Sequence, residues 1–274
     1  MRIYEGSEAF QSSRNTVLTM GTFDGVHVGH QQLLRQLRAQ AQEINGETAL
    51  LTFWPHPRLV LAPTHATPIQ LLTPLEEKTA LLAQQGLDHL IVIPFTQALA
   101  QLSAQDFIQQ VLVGQIGMQH ILVGHDHRFG KGRAGNMALL QEAGSQESFT
   151  VAEVPPVMVD HVTVSSTKIR RLLLAGDIEN ANAYLGRSYA MSCIARQGIT
   201  DGAGLVLTPA NTHQLIPGAG SYEVQVTYQD IVHLGNLHIT NNSTPALELE
   251  VPALSGMAAR EGSLHIVFSK NRGS

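Results

Sequence analysis

The residues best equipped for chemistry stand in one run, Gly21-Thr22-Phe23-Asp24-Gly25-Val26-His27-Val28-Gly29-His30. The run follows a strand-like segment and opens a helical one. Gly21 and Gly25 permit a tight turn and a close backbone approach to a ligand. Gly29 lets a phosphate come near the chain. His27 and His30 are spaced so that both rings can face one point at a helix N-terminus. The helix dipole and the free N–H groups there favour an anion. Two imidazoles and a helix end suit a phosphorus centre whose negative charge shifts during transfer. A plain surface turn and a zinc site are the alternatives. His125 and His127 flank Asp126, but no third ligand at helical spacing completes a metal site.

Three further segments carry polar chemistry. Ser165-Ser166-Thr167-Lys168-Ile169-Arg170-Arg171 precedes Leu172, Leu173 and Leu174. Serine and threonine are preferred N-caps, so a helix should begin here, offering N–H groups, hydroxyls and cations to a phosphate chain. Basic residues in a first turn oppose the dipole, and a bound anion would explain them. Phe53-Trp54-Pro55-His56-Pro57 ends a strand in a proline-fixed corner beside aromatic rings, a wall for a flat ring system or a structural corner only. Gly124 to Asn136 is a glycine-rich loop holding Asp126, Arg128, Lys131 and Arg133, suited as a flexible basic lid or simply solvated.

The elements that must position these residues alternate in type. Strand-like runs fall at Thr16–Met20, Thr48–Phe53, His89–Phe95, His120–Gly124 and Phe149–Val154. They are apolar on both faces, the pattern of strands covered by helices on both sides. Between them, Gln31 to Glu43 carries Leu33, Leu34, Leu37 and Ala41 on one stripe and stops at Asn45-Gly46. A second helix opens at Thr73-Pro74-Leu75-Glu76 and ends at Gly86, and a third starts near Ser103. This alternation predicts a doubly wound parallel α/β sheet with ligands at the carboxyl ends of the strands. After about Ser188 the period becomes nearly pure two. Tyr222, Val224, Val226 and Tyr228 alternate with polar residues, as do Leu247, Leu249 and Val251, and Leu264, Ile266 and Phe268. That half reads as a small antiparallel β-barrel or sandwich.

Bulk composition narrows the classes. With 274 residues, 43% hydrophobic and 14% charged, the chain can bury one large core or two ordinary ones. A formal net charge of -5 argues against a nucleic-acid partner but not against a small anion. Cys193 is the only cysteine, so no internal disulfide forms, which suits a reducing cytoplasm. No run is apolar and long enough to span a membrane, and Met1 to Phe10 does not read as a secretory signal. Oligomerisation is open.

Taken together, these segments resemble the N-terminal adenylyltransferase module of the bacterial bifunctional riboflavin kinase/FAD synthetase family. The resemblance covers about residues 1–189 in the family's order, including Thr73-Pro74 with Glu77-Lys78, Pro94-Phe95 and Leu185-Gly186-Arg187. It implies a Rossmann-like nucleotidyltransferase domain, followed over 190–274 by a riboflavin kinase-like barrel. It implies Mg2+ with ATP, FMN as second substrate and FAD as product. ATP binding maps to Gly21, Phe23, Asp24, Gly25, His27, Gly29, His30, Ser165, Ser166, Thr167 and Arg170. Of these, His27, His30, Ser166 and Arg170 are the expected catalytic residues. FMN binding maps to Phe53, Pro55, His56, Pro57, Asp126 and Arg128. The family usually has Phe where this chain has His127.

The second half departs from the family. Its kinase hallmark is Gly-Phe-Pro-Thr-Ala-Asn, and here Leu205-Val206-Leu207-Thr208-Pro209-Ala210-Asn211 stands in its place. Proline and threonine are exchanged, which re-aims the hydroxyl, leaving Thr208 and Asn211 as a remnant of the kinase metal site. Glu248 is the nearest match to the catalytic glutamate, though Glu248 and Glu250 also read as a solvated strand face. The chain ends soon after Phe268, where the family's closing helix would follow. The expectation is therefore an FMN adenylyltransferase with a barrel that has lost kinase activity. Other readings are a complete bifunctional enzyme, a catalytically silent flavin-binding homologue, and a transferase using another acceptor.

Overall fold

The computed structural model describes residues 1–10, 15–63, 65, 67–159, 162–196, 205–240, 246–252 and 263–272. The chain forms two compact units, Met1–Ile69 with Leu75–Thr163, and Gln70–Pro74 with Val164–Ser274. The sequence period changes after about Ser188 and the first barrel strand begins at Ala190, whereas the compact unit that contains the barrel already includes the chain from Val164.

In the first unit, strands β1 (Arg2–Glu5), β2 (Val17–Met20), β3 (Thr48–Trp54), β4 (His89–Pro94), β5 (His120–Gly124) and β6 (Thr150–Val154) form one sheet. Its order is β1-β4-β3-β2-β5-β6, and each pairing is parallel. Five of these strands match the apolar runs within a residue. β1 does not: its side chains are mostly exposed, and it joins through the ladder to β4. Helices α1 (Val28–Glu43), α2 (Pro57–Val60), α3 (Leu75–Gln84), α4 (Gln97–Gln101), α5 (Ala104–Asp106, continuing as a π-helix over Phe107–Gln115) and α6 (Met137–Glu147) connect the strands.

Alternate strand residues fill two separate cores, the reason the runs are apolar throughout. Leu18, Ala49, Leu51, Ile91, Ile121 and Val123 pack with Phe107, Val111 and Leu140 on one face. Val17, Leu50, Leu90 and Leu122 pack with Leu34, Leu37 and Leu82 from α1 and α3 on the other. Each fully buried leucine of this kind contributes about 1.5–3 kcal/mol. The chain runs outward from β2 through β3 to β4, then crosses to β5 on the opposite side of β2. The switch point thus lies between β2 and β5, where such sheets open a crevice for ligands.

The loop after β5 differs from the free lid expected of it. Phe129 is buried, and its N–H and C=O pair with Gly135. The Lys131 N–H donates to the Leu102 carbonyl at 2.8 Å. Gly130 holds φ at 70°, and a Cβ there would lie 2.6 Å from the Ala104 Cα. The loop is therefore pinned at its centre, while Arg128, Lys131 and Arg133 stay exposed.

Two short strands, β7 (Met158–Val159) and β8 (Val162–Thr163), pair antiparallel after β6. In the second unit, β9 (Ala190–Arg196), β10 (Leu205–Pro209), β11 (Gly220–Tyr228), β12 (Ile231–Ile239), β13 (Leu247–Glu250) and β14 (Ser263–Asn271) close a barrel in the order β10-β13-β12-β11-β14-β9. Of the expected period-two residues, Tyr222, Val224, Val226, Leu247, Leu249, Val251, Leu264, Ile266 and Phe268 are buried, while Tyr228, at the end of β11, is only half-buried. Helices α7 (Ser166–Leu174) and α8 (Ile178–Leu185) belong to this unit. Among the described residues, no helix is long and apolar enough to cross a membrane.

Gly130→Ala should combine a left-handed backbone with a clash against main chain and cost at least about 2 kcal/mol. Chemical denaturation measures this; a variant within 0.5 kcal/mol of the parent, the ordinary scatter of about that size for surface changes, would contradict the pinned loop.

Candidate active site

The β2–α1 loop is built by an unusual backbone path. Phe23 and Val26 hold positive φ values of 47° and 40°, and Gly25 holds 89°. Non-glycine residues rarely occupy this region, and where they do the surroundings must hold them there. Phe23, Asp24, Val26 and His27 are all buried, which supplies that constraint. The path delivers His27, in extended conformation, as the N-cap of α1. The helix starts at Val28, earlier than the Gln31 expected from the apolar stripe, because the histidine itself is the cap. His27 Nδ1 accepts from the His30 backbone N–H at 3.4 Å. Their rings stack, with centroids 3.7 Å apart and 15° between planes. Phe23 continues the stack onto His30 at 4.6 Å. Gly29 has a second role: a Cβ there would meet the His27 ring at 3.1 Å.

Gly21 to His30 therefore form one compact group at the carboxyl end of β2. Phe53, Pro55, His56 and Pro57 lie at the carboxyl end of the neighbouring β3, and Asp126 and Arg128 follow β5 on the other side. His56 is buried, caps α2, and accepts the Arg58 N–H on Nδ1 at 3.1 Å. Phe53 is half-buried, packed edge-on to Phe95 at 5.7 Å and near Phe107 at 6.3 Å. Phe107 touches Phe129, and Phe129 stacks with His127 at 5.9 Å. A row of rings thus ties the corner after β3 to the loop after β5.

Ser165, Ser166, Thr167 and Arg170 stand in the second unit. Ser165 caps α7, accepting the Lys168 N–H at 3.4 Å, as its sequence predicts. Arg170 Nε donates to the Gln70 carbonyl at 2.7 Å. Thr208 and Asn211 lie in the barrel. Thr208 Oγ1 donates to the Ile194 carbonyl at 3.4 Å, and Asn211 Oδ1 accepts the His213 N–H at 2.9 Å. Glu248 and Glu250 are exposed on β13.

Sequence reasoning missed Lys78 as part of the site. It is 3% exposed and reaches from α3 to the Thr22 carbonyl. The available signal was position: Lys78 and Leu82 share one stripe of α3, where a buried apolar residue belongs. Among the described residues, no group of three or more His, Cys, Asp and Glu could hold a metal ion.

His127 is the other surprise. Its ring is half-buried, but Nε2 is fully covered and has no hydrogen-bond partner among the described residues. Burial pushes its pKa down to about 4, with Asp126 pulling it up and Arg133 pushing it down. It is therefore neutral at pH 7. The unfolded chain takes up this proton near pH 6.5 and the folded chain near 4, so stability falls as pH drops through that window. His127→Phe removes an unsatisfied buried nitrogen, worth about 1 kcal/mol. The thermal midpoint should rise by about 2–4 °C at pH 7, and by more near pH 5. Thermal scans at the two pH values check this; identical midpoints for variant and parent would reject it.

Comparison with known proteins follows the same lines. The FAD synthetase family model matches residues 9–168. The bifunctional riboflavin kinase/FMN adenylyltransferase of Listeria monocytogenes is 35% identical over 246 residues, covering 86% of this chain and 77% of the relative. Those of Pseudomonas fluorescens and Escherichia coli K12 are each 36% identical, covering 78% and 77% of this chain and 68% and 67% of theirs. A solved structure described as a macrolide-efflux protein from Streptococcus pneumoniae superimposes with a TM-score of 0.87 at 21% identity, over 100% of this chain and 91% of that one. That likeness concerns the fold. The sequence matches go further, and the chain belongs to the FAD synthetase family.

Proposed function

We propose that this chain is an FMN adenylyltransferase, converting ATP and FMN to FAD and pyrophosphate. The observation that carries the reading is the stacked His27–His30 pair at the N-terminus of α1, beside the switch point of the sheet. A phosphate oxygen of FMN attacks the α-phosphorus of ATP. A new P–O bond forms as the bond to the β-phosphate oxygen breaks in line, and pyrophosphate leaves with the electron pair. No covalent enzyme intermediate is required, so catalysis is positioning and charge stabilisation.

In this reading Gly21, Phe23, Asp24, Gly25 and Gly29 shape the ATP-binding turn. His27 and His30 meet the phosphates, together with the N–H groups of the first turn. Ser165, Ser166, Thr167 and Arg170 also serve the triphosphate. Phe53, Pro55, His56, Pro57, Asp126 and Arg128 serve FMN. Mg2+ enters as Mg-ATP, with phosphate oxygens and water as most of its ligands, its usual preference.

The relatives' names include a riboflavin kinase activity. For this chain we propose that the barrel no longer performs it. Pro209 stands in the β10 ladder opposite Cys193, and the Thr208 hydroxyl is taken up by the Ile194 carbonyl. The bifunctional reading keeps its support from those relatives, so the assay must separate the two.

Purified protein with Mg-ATP and either FMN or riboflavin, products resolved by chromatography, should yield FAD from FMN and nothing from riboflavin. Any FMN or FAD from riboflavin would restore the kinase. No product from either substrate would favour a silent flavin-binding homologue. His30→Ala should lower turnover by about 10²–10³-fold, the scale of one lost charge-stabilising donor. Near-normal turnover would reject that role.

A further inference from the structure

Lys78 is a buried charged group to which the roles above assign nothing. Its Nζ donates to the Thr22 carbonyl at 3.1 Å and to Thr52 Oγ1 at 3.4 Å. It lies 5.8 Å from the centroid of the Trp54 ring and is attracted by Asp24. These contacts come from two elements. Thr22 and Asp24 belong to the β2–α1 loop that leads into the cap His27 and, one turn on, His30. Thr52 and Trp54 end β3 and run directly into Pro55-His56-Pro57. Burying an ammonium is unfavourable, and an apolar side chain would suit this stripe of α3 better as mere filling. The charge therefore needs another reason.

We propose that Lys78 is a positioning residue for adenylyl transfer, its ammonium locking the β2–α1 loop to the end of β3 and so fixing the two histidines relative to the corner that faces the acceptor. The inference rests on the adenylyltransferase reading. Burial pushes the pKa of Lys78 down to about 8, with Asp24 opposing. Asp24, from the β2–α1 loop, is the charged group that acts on it; β3 presents an uncharged hydroxyl and a ring. The lock thus holds nearly its full charge only well below pH 8 and weakens as pH rises through that value.

The test is steady-state kinetics of the full chain with Mg-ATP and FMN, from about pH 6.5 to about 9.5, alongside thermal unfolding. Lys78→Met should lower kcat/KM for both substrates by about 10–100-fold, the cost of misplaced reacting groups, with most of the protein still folded at the assay temperature. The parent should lose kcat/KM above about pH 8. Lys78→Arg keeps a charge that does not titrate here, and should flatten that decline. Lys78→Met with parental kcat/KM, or a decline unchanged in Lys78→Arg, would overturn the proposal. If neither variant folds, the parent's own profile decides, a flat one overturning and a decline near pH 8 supporting. A parent that makes no FAD at any pH would instead sink the adenylyltransferase reading itself.

Discussion

The turn between β2 and α1 is the constraint on which the rest of this edge depends. The backbone must leave β2, pass through positive φ at Phe23, Gly25 and Val26, and present His27 in extended conformation as a helix cap. The left-handed conformations of Phe23 and Val26 are unfavourable alone. They persist because neighbouring atoms leave no alternative. Phe23 and Val26 are sunk in the core shared with α1 and α3, and the Lys78 ammonium donates to the Thr22 carbonyl. The ring stack is then a consequence. Once His27 is fixed as cap and Gly29 leaves room beside it, His30 lies between His27 and Phe23.

A sheet with a core on each face makes such a turn affordable. Since Val17, Leu50, Leu90 and Leu122 face one core and their neighbours the other, a one-residue slip in register would send each set into the core shaped for the other and misfit both. Their carboxyl ends are thus fixed relative to each other. The loops after β2, β3 and β5 inherit that precision. The row of rings from Phe95 through Phe53, Phe107 and Phe129 to His127 extends it sideways. Residues far apart in sequence become neighbours along one edge through packing alone.

How much of this was legible in the sequence follows from what each element depends on. The buried strands and the barrel interior were readable because burial writes itself into apolar spacing. The caps at Ser103 and Ser165 were readable because capping selects few residue types. β1 was not, since a polar edge strand is held by backbone hydrogen bonds, which carry no side-chain signature. β12 was obscured differently: Ile231, Val232 and Leu234 are apolar yet exposed, which blurs its alternation. Among the site residues, the histidines announced themselves by spacing. Lys78 showed only as a lysine on the buried stripe of α3, and the covered Nε2 of His127 had no signature at all, because what surrounds a buried polar group is set by three-dimensional packing.

The barrel shows the same logic applied to a single exchange. In a strand, neighbouring side chains point to opposite faces, so moving a hydroxyl by one position moves it to the other face. Here the exchange leaves Thr208 opposite Ile194 and Pro209 opposite Cys193 in the β9–β10 ladder. The hydroxyl finds a main-chain carbonyl, and Asn211 turns back to cap the His213 N–H. The interior residues on either side, Leu207 and Cys193, remain buried. The closure of the barrel rests on its alternating interior residues, and Thr208, Pro209 and Asn211 are not among them.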